Sequence, residues 1–245
     1  MKLIVFIFLL IGNISAYCKP LIVGVLEFAP PFSSLSGDGN NYYGFSIDLM
    51  DELCKRIKQQ CVYKPVLLTN QLSMLDNESV NILFTPTPIS SINSPDYIFS
   101  LPFLPSDGHF LTLKENKINT LSDMKNKKVG VLKNSLFRAL IEENSKSYSE
   151  VKEYDLISDL IAGLGNKEID VIIVNDTIAH YILNNNIIVN SQLIGEKIPA
   201  GDGFGMLALK KNESLIKDIN SALLNMEADG TYLTNYIKYF GGKIR

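Results

Sequence analysis

The sequence predicts an α/β chain folded as two lobes around a cleft. Three observations carry that expectation. Apolar strand-type runs alternate with helix-type stripes; the alternation halts in a proline-rich stretch from Thr85 to Pro105 and then restarts; and a late strand-type run, Phe204 to Leu209, precedes two terminal helices. Two successive strand–helix sets suit two lobes. A chain that passes twice between lobes leaves a cleft that closes on ligands by hinge motion. The short strands His109–Lys114 and Phe204–Lys210 are the expected crossings, because each follows a Pro-rich or Gly-rich turn.

The elements follow in order. Leu21 to Leu26 is a buried-type strand. Phe45, Leu49, Leu53 and Ile57 form one stripe of a helix over Phe45 to Arg56, with Ser46 as its expected N-cap. Val62 to Leu67 is a strand, Asn70 to Leu75 a short helix, and Val80 to Phe84 a strand. After the proline-rich break come strand Lys128–Leu132, helix Ser135–Glu143, strand Val151–Tyr154, helix Leu156–Leu164, strand Asp170–Val174 and helix Asp176–Leu183. The terminal helices, Glu213–Glu227 and Thr231–Tyr239, are broken at Asp229-Gly230. No short-period repeat and no low-complexity tract interrupts this order.

The first sixteen residues read as a cleaved export signal. Met1-Lys2 is a brief basic start, Leu3 to Ile11 is apolar, Gly12-Asn13 breaks the run, and Ile14-Ser15-Ala16 offers a small residue for cleavage. The run is far shorter than the roughly 20 apolar residues of a spanning helix. The alternative is an anchor left in place; the expectation is a soluble periplasmic protein with no membrane span in its mature form. A formal charge of -3 without basic clusters argues against nucleic acid and anionic membranes as partners. Three cysteines are present. Cys54 and Cys61 are suited to oxidation after export, the alternative being two buried thiols. Cys18 follows the cleavage point, but a lipobox wants a small residue before the cysteine, and Tyr17 stands there.

Several landmarks together resemble a known family. They are Val23-Gly24-Val25 followed by Pro31-Phe32; Tyr43-Gly44-Phe45-Ser46-Ile47-Asp48-Leu49; the Glu52-to-Cys61 block; Leu121 to Val131, reading LSDMKNKKVGV; Glu168-Ile169-Asp170-Val171; and Ala228-Asp229-Gly230-Thr231-Tyr232 before Tyr239-Phe240. In this order and spacing the chain resembles the periplasmic solute-binding proteins of family 3, which serve polar amino acid ABC transporters. Its cysteine block is similar to that of the histidine and lysine/arginine/ornithine binding proteins, which implies the Cys54–Cys61 disulfide. The resemblance implies a type II periplasmic-binding-protein fold. Lobe 1 is expected over 20–105 plus 204–245, and lobe 2 over 106–203. It also implies an ABC transporter permease as partner, a small amine-bearing or amino-acid-like ligand, and a monomer without cofactor.

An amino acid held in such a cleft needs a carboxylate for its amine and an arginine fork or helix-start amides for its carboxylate. By family position Asp176 holds the amine, the alternative being a helix N-cap. Phe32 covers an apolar part of the ligand or belongs to the lobe core. Thr85 and Thr87 lie where the family places small hydroxyl residues, and Asn134 and Ser135 occupy its anion-binding helix start, with capping as the plainer role of Ser135. The family's arginine falls on Asn93, which supplies no cationic fork. The family's FsDPY becomes Phe99-Ser100-Leu101-Pro102-Phe103, without its Asp, and its first-strand acid falls on Leu26. Of the three arginines, Arg56 lies on the cysteine helix, Arg245 is terminal, and Arg138 sits one turn into the helix from Ser135. The expectation is therefore a kept amine half and an altered carboxylate half. Two other functions suit the same fold: a periplasmic sensor acting in trans, and a cyclohexadienyl dehydratase-like enzyme with Glu27 as acid or base. The expectation is no enzyme: no G-x-S-x-G motif and no metal-spaced His/Cys cluster is present, and His180, four after Asp176, is too little for a zinc site.

Overall fold

The computed structural model describes residues 19–89, 92–143 and 145–241. The export signal and Cys18 lie outside the described residues. The chain opens with β1 (Leu21–Leu26), β2 (Phe28–Ala29), β3 (Ser33–Leu35), β4 (Tyr42–Tyr43), α1 (Phe45–Arg56), β5 (Cys61–Val66), α2 (Gln71–Asp76), β6 (Ile82–Leu83) and β7 (Tyr97–Phe99). The middle contributes β8 (Gly108–Leu113), β9 (Lys128–Leu132), α3 (Leu136–Glu143), β10 (Glu150–Tyr154), α4 (Ile157–Gly165), β11 (Val171–Asn175), α5 (Asp176–Asn184) and β12 (Ser191–Ile198). The chain ends in β13 (Leu207–Leu209), α6 (Glu213–Ala228) and α7 (Thr231–Phe240).

Two five-stranded sheets result, ordered β5-β1-β6-β13-β7 and β10-β9-β11-β8-β12. In the first, β1 pairs in parallel with β5 and β6, while the returning β13 pairs antiparallel with β6 and β7. In the second, β11 lies between parallel β9 and antiparallel β8, and its five residues are all buried. Continuous apolar runs such as VIIVN belong at such two-sided, covered positions.

The crossings lie just ahead of the expected segments, the second taking in only the first residue, Phe204, of its segment. All six residues of β8 are buried within the second sheet, and Leu207–Leu209 lies within the first. The chain instead crosses just before β8 and just before β13. There Phe204 forms an isolated antiparallel bridge with Leu104, and its amide donates to the Leu104 carbonyl at 2.8 Å. The Ser106 hydroxyl donates to the Ala200 carbonyl, and the Gly203 amide donates to Ser106 Oγ at 3.0 Å. Prolines explain the shift: Pro102 and Pro105 donate no ladder hydrogen bond, so a continuous sheet cannot run through them. β8 keeps its ladder because its polar side chains find internal partners, as when Thr112 Oγ1 donates to the Asp170 carbonyl at 2.7 Å.

The expected stripe of α1 is buried, with Phe45, Leu49 and Leu53 fully covered. Its N-cap is Gly44 rather than Ser46. Gly44 has φ 132°, and a Cβ there would lie 2.3 Å from the Phe32 carbonyl oxygen, so only glycine fits. The Phe45 and Ser46 amides donate to the Pro31 and Phe32 carbonyls, both at 2.9 Å, which satisfies the helix start without a side-chain cap. α7 seals the same helix: Tyr232, Tyr236, Tyr239 and Phe240 place their rings 5.0–6.5 Å from Phe45. Arg56 fixes the α6–α7 break by pairing with Asp229 at 2.8 Å, donating to Thr231 Oγ1 at 3.0 Å and bonding Glu52 at 2.9 Å.

Cys54 and Cys61 form a disulfide joining the last turn of α1 to the first residue of β5, with Cα atoms 6.2 Å apart. Reduction is expected to lower stability by about 2–3 kcal/mol, because the cross-link restricts a short loop of the unfolded chain. Thiol titration of denatured, unreduced protein should find no reactive cysteine other than Cys18; three reactive thiols would exclude the bridge.

Candidate functional site

The polar centre of the second sheet is the turn from β11 into α5. Asn175 caps α5: its Oδ1 accepts from the Thr177 amide at 3.0 Å. Its Nδ2 donates to the carbonyls of Pro105 at 3.1 Å and Asp107 at 3.0 Å, and the Asp176 amide also donates to Asp107 O at 2.9 Å. The turn is thereby fastened to the first crossing. Because Asn175 takes the cap, the Asp176 carboxylate is released from that role.

Two imidazoles engage it instead. His109 on β8 sets Nδ1 2.7 Å from Asp176 Oδ1, and His180, one turn along α5, sets Nδ1 3.2 Å from the same oxygen. His180 Nδ1 also donates to the Asp176 main-chain carbonyl at 2.9 Å. His109 Nε2 lies 3.1 Å from the Gly195 carbonyl on β12. A carbonyl only accepts, so Nε2 carries a proton, and a second proton on Nδ1 makes the pair imidazolium–carboxylate. Burial by itself pushes the His109 pKa down; the bond to Asp176, the Gly195 carbonyl and the charges of Asp176 and Glu196 outweigh it and hold the pKa above the ordinary value. Burial likewise pushes Asp176 up, but the His109 hydrogen bond and the positive charges of His180, His109 and Lys197 bring it below the ordinary carboxylate value. The His109 side chain is 8% exposed and that of Asp176 26%, so the carboxylate is reachable while its partner is enclosed. Both imidazole contacts fall on Oδ1, which leaves Oδ2 for another cation. Tyr236 on α7 senses this charge: burial chiefly, then Asp176, raises its hydroxyl pKa.

The other expected contact residues are dispersed. Thr85 and Thr87 are buried with Gln71: Thr85 Oγ1 donates to Gln71 Oε1 at 2.7 Å and lies 2.8 Å from Thr87 Oγ1. Phe32 is 4% exposed, its ring centroid 6.2 Å from that of Phe240, so it is a core residue of the first lobe. Asn93 is exposed. Asn134 is exposed with φ 55°. Ser135 donates its hydroxyl to the Leu132 carbonyl at 2.8 Å. Arg138 bonds Glu153 at 2.5 Å and Glu142 at 3.3 Å on the surface of α3. Arg245 lies outside the described residues.

His109 and Asn175 hold the Asp176 turn, and local sequence patterns do not reveal either. His109 meets the site through antiparallel register, with Val174 opposite His109, although Asp176 lies 67 positions further along the chain. A cavity of about 380 Å³ opens beside the crossings, lined by Pro102–Asp107, Gly201–Gly203 and Tyr232. None of the expected contact residues lines it, and its Asp107 is already paired with Lys197 at 2.6 Å.

A family model described as bacterial extracellular solute-binding proteins, family 3, matches residues 21–242. The L-cystine-binding protein TcyJ of Escherichia coli K12 is 29% identical over 226 residues, spanning 91% of this chain and 84% of that protein. The crystal structure of an arginine 3rd transport system periplasmic binding protein from Legionella pneumophila is 34% identical with a TM-score of 0.83, covering 90% of this chain and 99% of that one. An ancestral amino acid-binding protein, a precursor of cyclohexadienyl dehydratase, shares the fold at 22% identity and a TM-score of 0.78, covering 90% of this chain and 95% of that one. The architecture is that of type II periplasmic binding proteins.

The His109–Asp176 pair sets a pH window for stability. Asp176 titrates below its ordinary 3.8 in the folded chain, so its contribution is present above that pH and lost as pH falls through the depressed value. His109 titrates above its ordinary 6.5, so its contribution is complete below 6.5 and lost as pH rises through the raised value. Urea unfolding in the presence of a chelator should therefore show wild type exceeding His109→Gln most between about pH 4 and pH 6.5, with the gap narrowing as pH rises further. A pH-independent gap would reduce the pair to packing.

Proposed function

The chain belongs to the family 3 bacterial extracellular solute-binding proteins, and from that premise we propose that it captures a small amine-bearing or amino-acid-like solute outside the cytoplasm and presents it to an ABC importer. Residues 20–105 plus 204–245 act as one lobe and 106–203 as the other, and they close about the crossings at Leu104–Asp107 and Ala200–Phe204. One observation carries the choice of ligand: a reachable carboxylate, Asp176, stands at the start of α5, and among the described residues no free arginine balances it across the cleft.

A ligand ammonium pairs with Asp176 Oδ2, where the helix start and the crossing meet. The ligand's far end is less well served. Asn93 has no charge, Arg56 pairs with Asp229 and Glu52, and Arg138 pairs with Glu153 and Glu142. A buried carboxylate without a cationic partner is costly. Amines without an α-carboxylate, and basic amino acids held mainly through their cationic groups, fit this cleft better than neutral amino acids. TcyJ is named for cystine and the Legionella protein for arginine; the departure at Asn93 separates this chain from a plain amino acid clamp. We read the chain as a binding protein rather than an enzyme: Glu27, the acid that a dehydratase reading requires, is exposed at the end of β1.

Calorimetry on the metal-free mature protein tests the ligand half. Asp176→Asn is expected to weaken the best of putrescine, arginine, lysine and histidine by two decades or more, as befits loss of a charged hydrogen bond. Asn93→Arg is expected to strengthen binding of arginine, lysine or histidine. Nanomolar binding of these amino acids by wild type would show that another group holds the carboxylate. For the motion, small-angle scattering should give a smaller radius of gyration with bound ligand; an unchanged radius with binding confirmed would make the protein a static module.

A further inference from the structure

His109, Asp176 and His180 offer three metal-ligating atoms from two elements, all within 4.8 Å of one another. We propose that these residues form a binding site for a divalent transition metal ion of the zinc type, distinct in chemistry from the amine pairing at Asp176 Oδ2 and not dependent on it.

The geometry is close to what such an ion requires. Metal–ligand bonds of about 2.0–2.2 Å in tetrahedral array place neighbouring ligand atoms about 3.3 Å apart. His109 Nδ1 and His180 Nδ1 lie 2.7 and 3.2 Å from Asp176 Oδ1. Widening the first of these by a few tenths of an ångström admits the ion. The His109 ring is already oriented for coordination. Its Nε2 proton points at the Gly195 carbonyl, so Nδ1, once free of its proton, presents a lone pair to the ion. Asp176 and His180 stand at i and i+4 on α5 and share one face. His180 is 51% exposed, so its ring can turn its Nδ1 from the Asp176 carbonyl to the ion without disturbing the core.

The donor set selects the class of ion. Two imidazoles and one carboxylate suit zinc, nickel, copper or cobalt, whereas calcium and magnesium prefer all-oxygen shells. Three protein ligands leave a fourth position for water or for a donor atom of a solute. Because Asp176 serves both sites, an ion there reduces the charge offered to an ammonium group, and by linkage each ligand weakens the other.

The test uses the chelator-treated mature protein, with zinc chloride as titrant in calorimetry and cobalt chloride for absorption spectroscopy. One zinc per chain is expected, with a dissociation constant in the micromolar range or tighter, on the order of known three-ligand sites. Cobalt should give the visible bands of a four-coordinate site. His180→Ala, a surface change whose fold is checked by circular dichroism, should weaken zinc at least tenfold, and His109→Gln should do the same. Absence of zinc binding, or zinc affinity unchanged in His180→Ala, would overturn the site and leave His109–Asp176 as an ion pair alone. Amine binding is read separately in metal-free protein. Zinc binding without amine binding would defeat the capture proposal and keep the metal site; amine binding without zinc binding would do the reverse.

Discussion

The site depends on one contact, the His109 imidazole against the Asp176 carboxylate. A partly buried carboxylate keeps its charge only with a compensating partner. Here that partner comes from the neighbouring strand and is itself anchored through its far nitrogen to β12. The contact therefore ties β8, β12 and the start of α5 together. Asn175, one residue earlier, fastens the same turn to Pro105 and Asp107. Site charge and crossing path are thus set by the adjacent residues Asn175 and Asp176.

The first lobe contributes differently. Its polar side chains near the end of β6 are turned on one another, with Gln71 accepting from Thr85 and Thr85 in contact with Thr87. Phe45 and the aromatic residues of α7 pack together to seal α1, and the carbonyls of Pro31 and Phe32 are occupied in satisfying its first amides. Asp176, paired with His109, stands in the second sheet, and among the described residues Arg56 and Arg138 are both engaged with carboxylates.

Much of the fold was legible in the sequence, and less of the site. The strand–helix alternation and the stripe on α1 rest on local spacing, the Cys54–Cys61 bridge on the exported context and the family resemblance, and each is present in the structure as expected. The crossings were displaced because GHFLTL reads as a short hinge strand after a proline turn, whereas its burial on both faces makes it a central strand. Ser46 looked like the cap of α1, but the cap is a backbone arrangement around Gly44 that needs the fold of residues 31–32 to exist. Asp176 was singled out by resemblance. His109 was not, since only the antiparallel register of β8 and β11 brings it there. Long-range pairing of this kind leaves no local trace.

The most direct measurement is the protonation of His109 itself, followed by imidazole nitrogen shifts in metal-free protein. With Asp176 in place, the midpoint should lie above the ordinary 6.5, because the carboxylate outweighs burial. In Asp176→Asn the Gly195 carbonyl and the Glu196 charge are left against burial, and the midpoint should fall from its wild-type value. A midpoint unmoved by the substitution would contradict the central role of this pair.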